Sequence, residues 1–346
     1  MTDRVAALFV KGTRMPRLRR SRTSKAGLGR RRSGTGFSYL TETGATLRDD
    51  SIRARIDSLA IPPAWTDVWI APDPLGHIQA LGTDAAGRRQ YIYHQQWRAR
   101  RDSVKFDRAL ELAAVLPSAR AVVTRDLRRE EPDEARALAA AFRLLDSASP
   151  RVGGKRYLDA NGSHGLSTLL CSHVTIHAGD EIEISFRGKG GLDWEAELHD
   201  SDLAAVLRSL KRRGANAHLL AYRHTGEPSD EWHVLSATDI NDYVRERTHG
   251  DFTAKDFRTL RGTIVAAQAL RDSEPASTKT ATRRVVNQAM QAAADTLGNT
   301  PTIARKSYVD PRVVTKYESG IVIAPNGSSA EVALRELLLG TRAQEH

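Results

Sequence analysis

Glu181-Ile182-Glu183-Ile184-Ser185-Phe186 alternates polar and apolar residues without a break. Asp193-Trp194-Glu195-Ala196-Glu197-Leu198 does so again after the turn residues Arg187-Gly188-Lys189-Gly190-Gly191. A strict period of two on both sides of a glycine-rich turn predicts a half-buried hairpin, with a lysine at its tip. Its setting constrains the fold most. The segments Ser103–Val115, Pro132–Leu145, Asp202–Arg212, Asp239–Arg247, Thr259–Leu270 and Lys279–Leu297 carry helical spacing or high helix propensity. Ser236 and Thr238 are N-cap candidates, and Gly298 a C-cap candidate. One hairpin among helices, after a β-rich start, defines an α+β chain.

That start runs from about Phe37 to His94. Val68-Trp69-Ile70, His77-Ile78-Gln79-Ala80-Leu81 and Arg88-Arg89-Gln90-Tyr91-Ile92-Tyr93-His94 read as short strands, separated by turn chemistry at Asp73-Pro74-Leu75-Gly76 and Asp84-Ala85-Ala86-Gly87. In the last strand Gln90, Ile92 and His94 share one face; Arg89, Tyr91 and Tyr93 share the other. A helix around Asp50–Leu59 interrupts the strands, and Trp97-Arg98-Ala99-Arg100-Arg101 reads as a basic hinge. The expected organisation is a basic disordered arm over residues 1–35, a β-rich domain over 36–97 and a mainly helical domain over 98–346.

The charge is unevenly placed. The net charge is +10, and residues 1–41 alone sum to +10, so the rest of the chain is formally neutral. A polyanion must then be held through local placement of cations, not bulk charge. The arm reads either as a phosphate-attracting tail or as a solvated terminus, with Met15 as an alternative start. The single cysteine, Cys171, excludes an internal disulfide framework and a cysteine-rich zinc site. With no apolar run near membrane-spanning length and no secretory signal, the chain is expected to work in a reducing cytoplasm.

The segment Leu297-Gly298-Asn299-Thr300-Pro301-Thr302-Ile303-Ala304-Arg305-Lys306-Ser307-Tyr308 closes a long amphipathic stretch at a glycine and delivers a tyrosine close to two cations. A free phenol has a pKa near 10, so roughly one molecule in a thousand is ionised at neutral pH. Arginines stabilise such an anion and also grip phosphate. Tyr308 is therefore either a nucleophile aimed at a phosphodiester or an ordinary tyrosine on a short helix. Arg258, at the start of a helix in Lys255-Asp256-Phe257-Arg258, and Arg151, in Pro150-Arg151-Val152-Gly153-Gly154-Lys155-Arg156-Tyr157, are candidate phosphate partners; each is otherwise a solvated arginine. Lys189 reads as a proton donor to a leaving alkoxide or as a solubilising residue at a turn.

Arg151-Val152-Gly153, Gly165-Leu166-Ser167-Thr168-Leu169, Phe186-Arg187-Gly188-Lys189, Lys255-Asp256-Phe257-Arg258-Thr259 and Leu297-Gly298-Asn299-Thr300-Pro301 with Tyr308 stand in the order of type IB DNA topoisomerases. Over about Phe37 to Tyr317 the chain resembles the compact poxvirus-like enzymes of bacteria. The resemblance implies two domains closing as a clamp around duplex DNA, and a monomer that associates with the nucleoid. Tyr308 would attack one strand to give a 3′-phosphotyrosyl bond and a 5′-hydroxyl. Arg151, Arg258 and Asn299 would contact the scissile phosphate, and Lys189 would protonate the leaving oxygen. Strand swivelling and religation would follow without ATP, metal or other cofactor; the sequence has neither a phosphate-cradling loop ending in Lys-Ser/Thr nor a carboxylate cluster that reads as a metal site.

Asn299 stands where many members of the family carry histidine, and an amide donates a hydrogen bond but no proton. For DNA contacts the resemblance points to Gln90, Tyr91 and Tyr93 on one strand, Tyr157 on the catalytic domain, and the cations Lys255 and Arg305. Tyr91 and Tyr93 read alternatively as core residues of a small sheet. Tyrosine recombinases share the Arg…Lys…Arg…Tyr set, but they usually carry His-x-x-Arg where this chain has Lys255-Asp256-Phe257-Arg258, and their N-terminal domain is helical. A DNA-binding relative that has lost catalysis is the remaining alternative.

Overall fold

The computed structural model describes residues 17–223, 231–325 and 329–340, except for the side chain of Tyr157. It divides into two compact units, residues 1–104 and 105–346.

The first unit is built on five antiparallel strands: β1 (Leu28–Ser33), β2 (Gly36–Leu40), β3 (Thr66–Ile70), β4 (Ile78–Thr83) and β5 (Arg89–Tyr93), in the order β2-β1-β3-β4-β5. Helix α1 (Asp50–Ser58) opens at Asp49, whose carboxylate accepts the backbone N–H groups of Ser51 and Ile52. Ile56 of α1 packs with Leu28, Leu47, Ile70 and Ala80 into a small core.

The basic segment departs from expectation here. Residues 17–35 are not a free arm. Arg19 N–H donates to Leu75 O and accepts His77 N–H at its own carbonyl, while Leu28 lies opposite Ile70 with only 6% of its surface exposed. Arg30 donates to the carbonyls of Ile61, Pro62 and Trp65, and its guanidinium stacks 4.1 Å from the centre of the Phe37 ring. One apolar anchor and one inward arginine are enough to order a strand whose arginine-rich text masks them. Residues 1–16 lie outside the described residues.

The chain passes into the second unit within α2 (Gln95–Leu127). Trp97–Arg101, expected as a hinge, are its first turns. Pro117 does not end this helix, although the spacing placed an end at Val115. A buried stripe of Leu112, Leu116, Ala119, Val123 and Leu127 continues past it, and that burial outweighs the one hydrogen bond a proline removes. Helix α3 (Glu134–Ala148) is central. Its Phe142 meets Tyr243 and Phe257 edge-on, with ring centres 6.2 and 5.3 Å apart.

After α4 (Lys155–Asn161), the strands β6 (Val174–Ile176), β7 (Glu181–Arg187) and β8 (Asp193–His199) form the expected β interruption, in the order β6-β7-β8. Phe186 pairs with Trp194, and Ile182, Ile184 and Phe186 face inward while Glu181 and Glu183 face out. Then come α5 (Ser201–Lys211), the short strands β9 (Ala221–Tyr222) and β10 (His233–Val234), α6 (Ala237–Thr248), α7 (Ala254–Arg271), α8 (Lys279–Leu297), α9 (Pro301–Ser307), α10 (Pro311–Glu318) and α11 (Ala330–Leu339). Ser236 caps α6, whereas Thr238 lies inside it; Gly298 closes α8 in the left-handed conformation at φ 58°. Helix α11 is held by Arg120, which pairs with both Asp146 and Glu331.

Candidate active site

Several partly buried arginines of the second unit meet carboxylates: Arg143 pairs with Asp200, Arg247 with Asp126 and Arg312 with Asp310. Arg258 and Arg151 do not, among the described residues. Arg258 is 3% exposed and sits on α7. It donates from Nη1 to Ser149 O at 2.6 Å and from Nη2 to Leu297 O at 2.7 Å. Ser149 caps α3 and Leu297 ends α8, so the guanidinium spans two helix C-termini, whose carbonyls carry partial negative charge. That arrangement lets a cation be buried without a carboxylate and keeps its full charge in the site.

Arg151 donates to Gly298 O at 3.1 Å and to Asn299 Oδ1. The loop that carries it is held by a close backbone approach: Leu166 N–H and Ser167 N–H donate to Arg151 O and Val152 O. A Cβ on Gly165 would lie 2.6 Å from Gly153 Cα, so the two motifs require glycine at their contact. Because Asn299 Oδ1 accepts from Arg151, the amide is oriented with Nδ2 as the free donor, and Nδ2 is buried without a partner.

Tyr308 follows α9 and is half-buried. The Arg258 guanidinium lies 5.0 Å from the centre of its ring. Its backbone is pinned to α7, since Thr263 Oγ1 lies 3.0 Å from Tyr308 O and accepts Asp310 N–H at 3.1 Å. Gly262 makes room for this approach: a Cβ there would meet Leu297 Cδ1 at 2.9 Å and Tyr308 Cβ at 3.2 Å. Burial pushes the phenol up, yet its pKa is lowered, because Arg258 by charge and hydrogen bond, then Arg151 and Lys255 by charge, favour the phenolate. Burial lowers the Arg258 guanidinium; Tyr308 opposes that shift and the like charge of Arg151 adds to it. Two cations crowded beside a phenol gain from any anion that enters.

The structure thus brings Tyr308, Arg258, Arg151 and Asn299 together, with Lys255 exposed on the first turn of α7 near enough to act on the phenol. Lys189 occupies the exposed tip between β7 and β8. The hairpin below that tip packs on the site: a Cβ at Gly298 would lie 2.7 Å from Trp194 Cδ1. Arg305 is not gathered to the phenol. It donates to Asn287 Oδ1 at 3.0 Å and lines a separate cavity of about 830 Å³ with Lys279 and Arg283. Tyr157 lies on α4, its side chain outside the described residues.

In the first unit Tyr91 and Tyr93 share a face of β5 and stack with ring centres 6.0 Å apart. Tyr91 is 41% exposed, so the pair is a surface feature and not core. Gln90 donates to Asp84 Oδ2 at 2.9 Å. Sequence reasoning missed Trp194, Gly262 and Thr263. Only Trp194 carried a signal, as the inward aromatic of an alternating strand beside the lysine turn. Among the described residues no group of three or more His, Cys, Asp or Glu is placed to hold a metal, and no helix is long and apolar enough to cross a membrane.

Comparison with known proteins gives the family. Residues 94–326 match the family described as eukaryotic DNA topoisomerase I, catalytic core, and residues 36–84 match the bacterial DNA topoisomerase IB N-terminal domain. The chain is 31% identical over 302 residues to DNA topoisomerase 1B of Acanthamoeba polyphaga mimivirus, covering 85% of this chain and 88% of that protein. It is 26% identical over 151 residues to DNA topoisomerase 1B of Vaccinia virus (strain Western Reserve), covering 42% of this chain and 48% of that protein. A bacterial topoisomerase IB N-terminal domain followed by a topoisomerase catalytic core defines a DNA topoisomerase. The chain belongs to the type IB DNA topoisomerase family.

Proposed function

We propose that this protein relaxes supercoiled duplex DNA by transient cleavage of one strand through Tyr308. The observation that carries the reading is the pairing of two guanidiniums, Arg258 and Arg151, with backbone and amide oxygens beside a phenol of lowered pKa, with no carboxylate between them among the described residues. In the cleavage step Tyr308 Oη bonds to phosphorus and gives up its proton to water, while the bond from phosphorus to the 5′ oxygen breaks. Lys189 supplies a proton to that oxygen, leaving a 5′-hydroxyl. Arg258, Arg151 and the Asn299 amide stabilise the charge that builds on the non-bridging oxygens. The reverse step restores the strand after the downstream duplex has swivelled. The phosphotyrosyl ester keeps the bond energy, so ATP is not consumed.

On this reading Tyr91, Tyr93, Gln90, Tyr157, Lys255 and Arg305 contact the duplex, and the protein acts as a monomer on cytoplasmic, nucleoid DNA. The test is incubation with negatively supercoiled plasmid in EDTA: a ladder of relaxed topoisomers is expected. Plasmid that stays supercoiled across a range of salt concentrations sinks the proposal, the range being needed because phosphate contacts make turnover salt-dependent.

The lowered phenol pKa makes a separate prediction. Difference absorbance between the parent and Tyr308→Phe should show one tyrosine ionising below pH 10. A phenol whose folded pKa is lowered contributes stability that is fully present above its unfolded pKa near 10 and lost as pH falls through the folded value. A difference titration centred at or above 10 contradicts the electrostatic reading of the site.

A further inference from the structure

The geometry points to the indole N–H of Trp194 as an additional donor to the scissile phosphate, a role that rests on the reading of Tyr308 as the nucleophile. Buried polar groups almost always find a partner, so buried N–H groups without one call for a cause. Three such groups border a single turn, Leu297-Gly298-Asn299: Arg258 Nε, Asn299 Nδ2 and Trp194 Nε1. Arg258 reaches the turn through Leu297 O, and Asn299 is part of it. Trp194 is 4% exposed and packs its indole against Gly298; a Cβ there would lie 2.7 Å from Cδ1 and 3.6 Å from Nε1.

All three groups are donors and none has an acceptor among the described residues, which is the polarity an anion requires. A purely apolar packing role at this position is open to phenylalanine, which brings no N–H to desolvate. Leaving an indole N–H buried and unpaired has a cost of about 1–3 kcal/mol, which a phosphate oxygen would offset when DNA is bound. The position of Trp194 five residues after Lys189 on the same hairpin adds a consequence. One rigid element would then carry both the proton donor for the leaving oxygen and a donor for the phosphate, so the two arrive together.

The test replaces Trp194 by 3-benzothienylalanine, which keeps the bicyclic shape and exchanges N–H for sulfur. Single-turnover cleavage of a duplex that traps the covalent adduct should slow by about tenfold, equivalent to about 1.4 kcal/mol, while the melting temperature of the free protein does not fall, because the isostere no longer buries an unpaired N–H. Phosphorothioate at the scissile position gives a readout that packing cannot move. One diastereomer should slow the parent more than the isostere, because the isostere has already lost the contact to that oxygen. An isostere that cleaves at the parent rate, with parent-like thio effects, overturns the proposal while leaving Tyr308 as nucleophile. A parent enzyme that forms no adduct overturns the nucleophile reading and this proposal with it.

Discussion

Tyr308→Phe is expected to abolish covalent capture of DNA and to reduce plasmid relaxation by at least about four orders of magnitude, the scale on which enzymes respond to loss of their nucleophile. The fold should survive, because the phenol is not what holds the segment. Tyr308 is fixed through its backbone, by Ala304 O on its own N–H, by Thr263 against its carbonyl and by the notch at Gly262. Phenylalanine keeps every one of those contacts. Binding to uncleaved duplex should therefore persist, since the guanidiniums and Lys255 remain. Measuring relaxation, adduct and duplex affinity on the same preparation separates chemistry from binding. A Tyr308→Phe protein that still relaxes plasmid removes the residue from the nucleophile role.

Arg258→Lys should slow adduct formation by about 10²–10³-fold, the usual effect of removing one preorganised donor from a developing oxyanion. A lysine keeps the charge but cannot reproduce the planar fork that reaches Ser149 O and Leu297 O at once while directing Nε elsewhere. Leaving one buried carbonyl unpaired should also lower stability by about 1–3 kcal/mol. The two effects are separable by measuring cleavage at a temperature where the variant is fully folded. If the melting temperature falls but the rate per folded molecule does not, Arg258 is a structural strut, and the charge of the site must come from Arg151 and Lys255.

Much of this was legible in the sequence for identifiable reasons. The β7–β8 hairpin was visible because its alternation is uninterrupted and three of the five residues of its turn are glycine. Gly298 was readable as a helix stop because few other residues accept a left-handed cap. Arg151, Arg258, Asn299 and Tyr308 were named from motif order, and the structure adds how they are held. Arg258 is seated on the ends of two helices, a relation between residues 149, 258 and 297 that no local pattern encodes.

The misreadings are equally physical. Leu28 and Arg30 sat within a run of arginines whose composition suggested a solvated tail, although two inward positions sufficed to make a strand. Pro117 looked like a terminus because propensity is local, while the stripe that carries α2 through it is set by α3 and the rest of the core. Arg305, next to Tyr308 in sequence, turned toward Asn287 instead of the phenol. Thr263 and Gly262 gave no signal, because holding a backbone carbonyl or leaving room for one needs no distinctive residue pattern.

The most direct test is chemical mapping of the trapped intermediate. The protein is incubated with a duplex whose cleaved end diffuses away, denatured and digested, and the nucleotide-bearing peptide is sequenced by mass spectrometry. The account predicts a 3′-phosphate ester on Tyr308 and a free 5′-hydroxyl on the released strand. A linkage through a 5′-phosphate, or to any residue other than Tyr308, would contradict it.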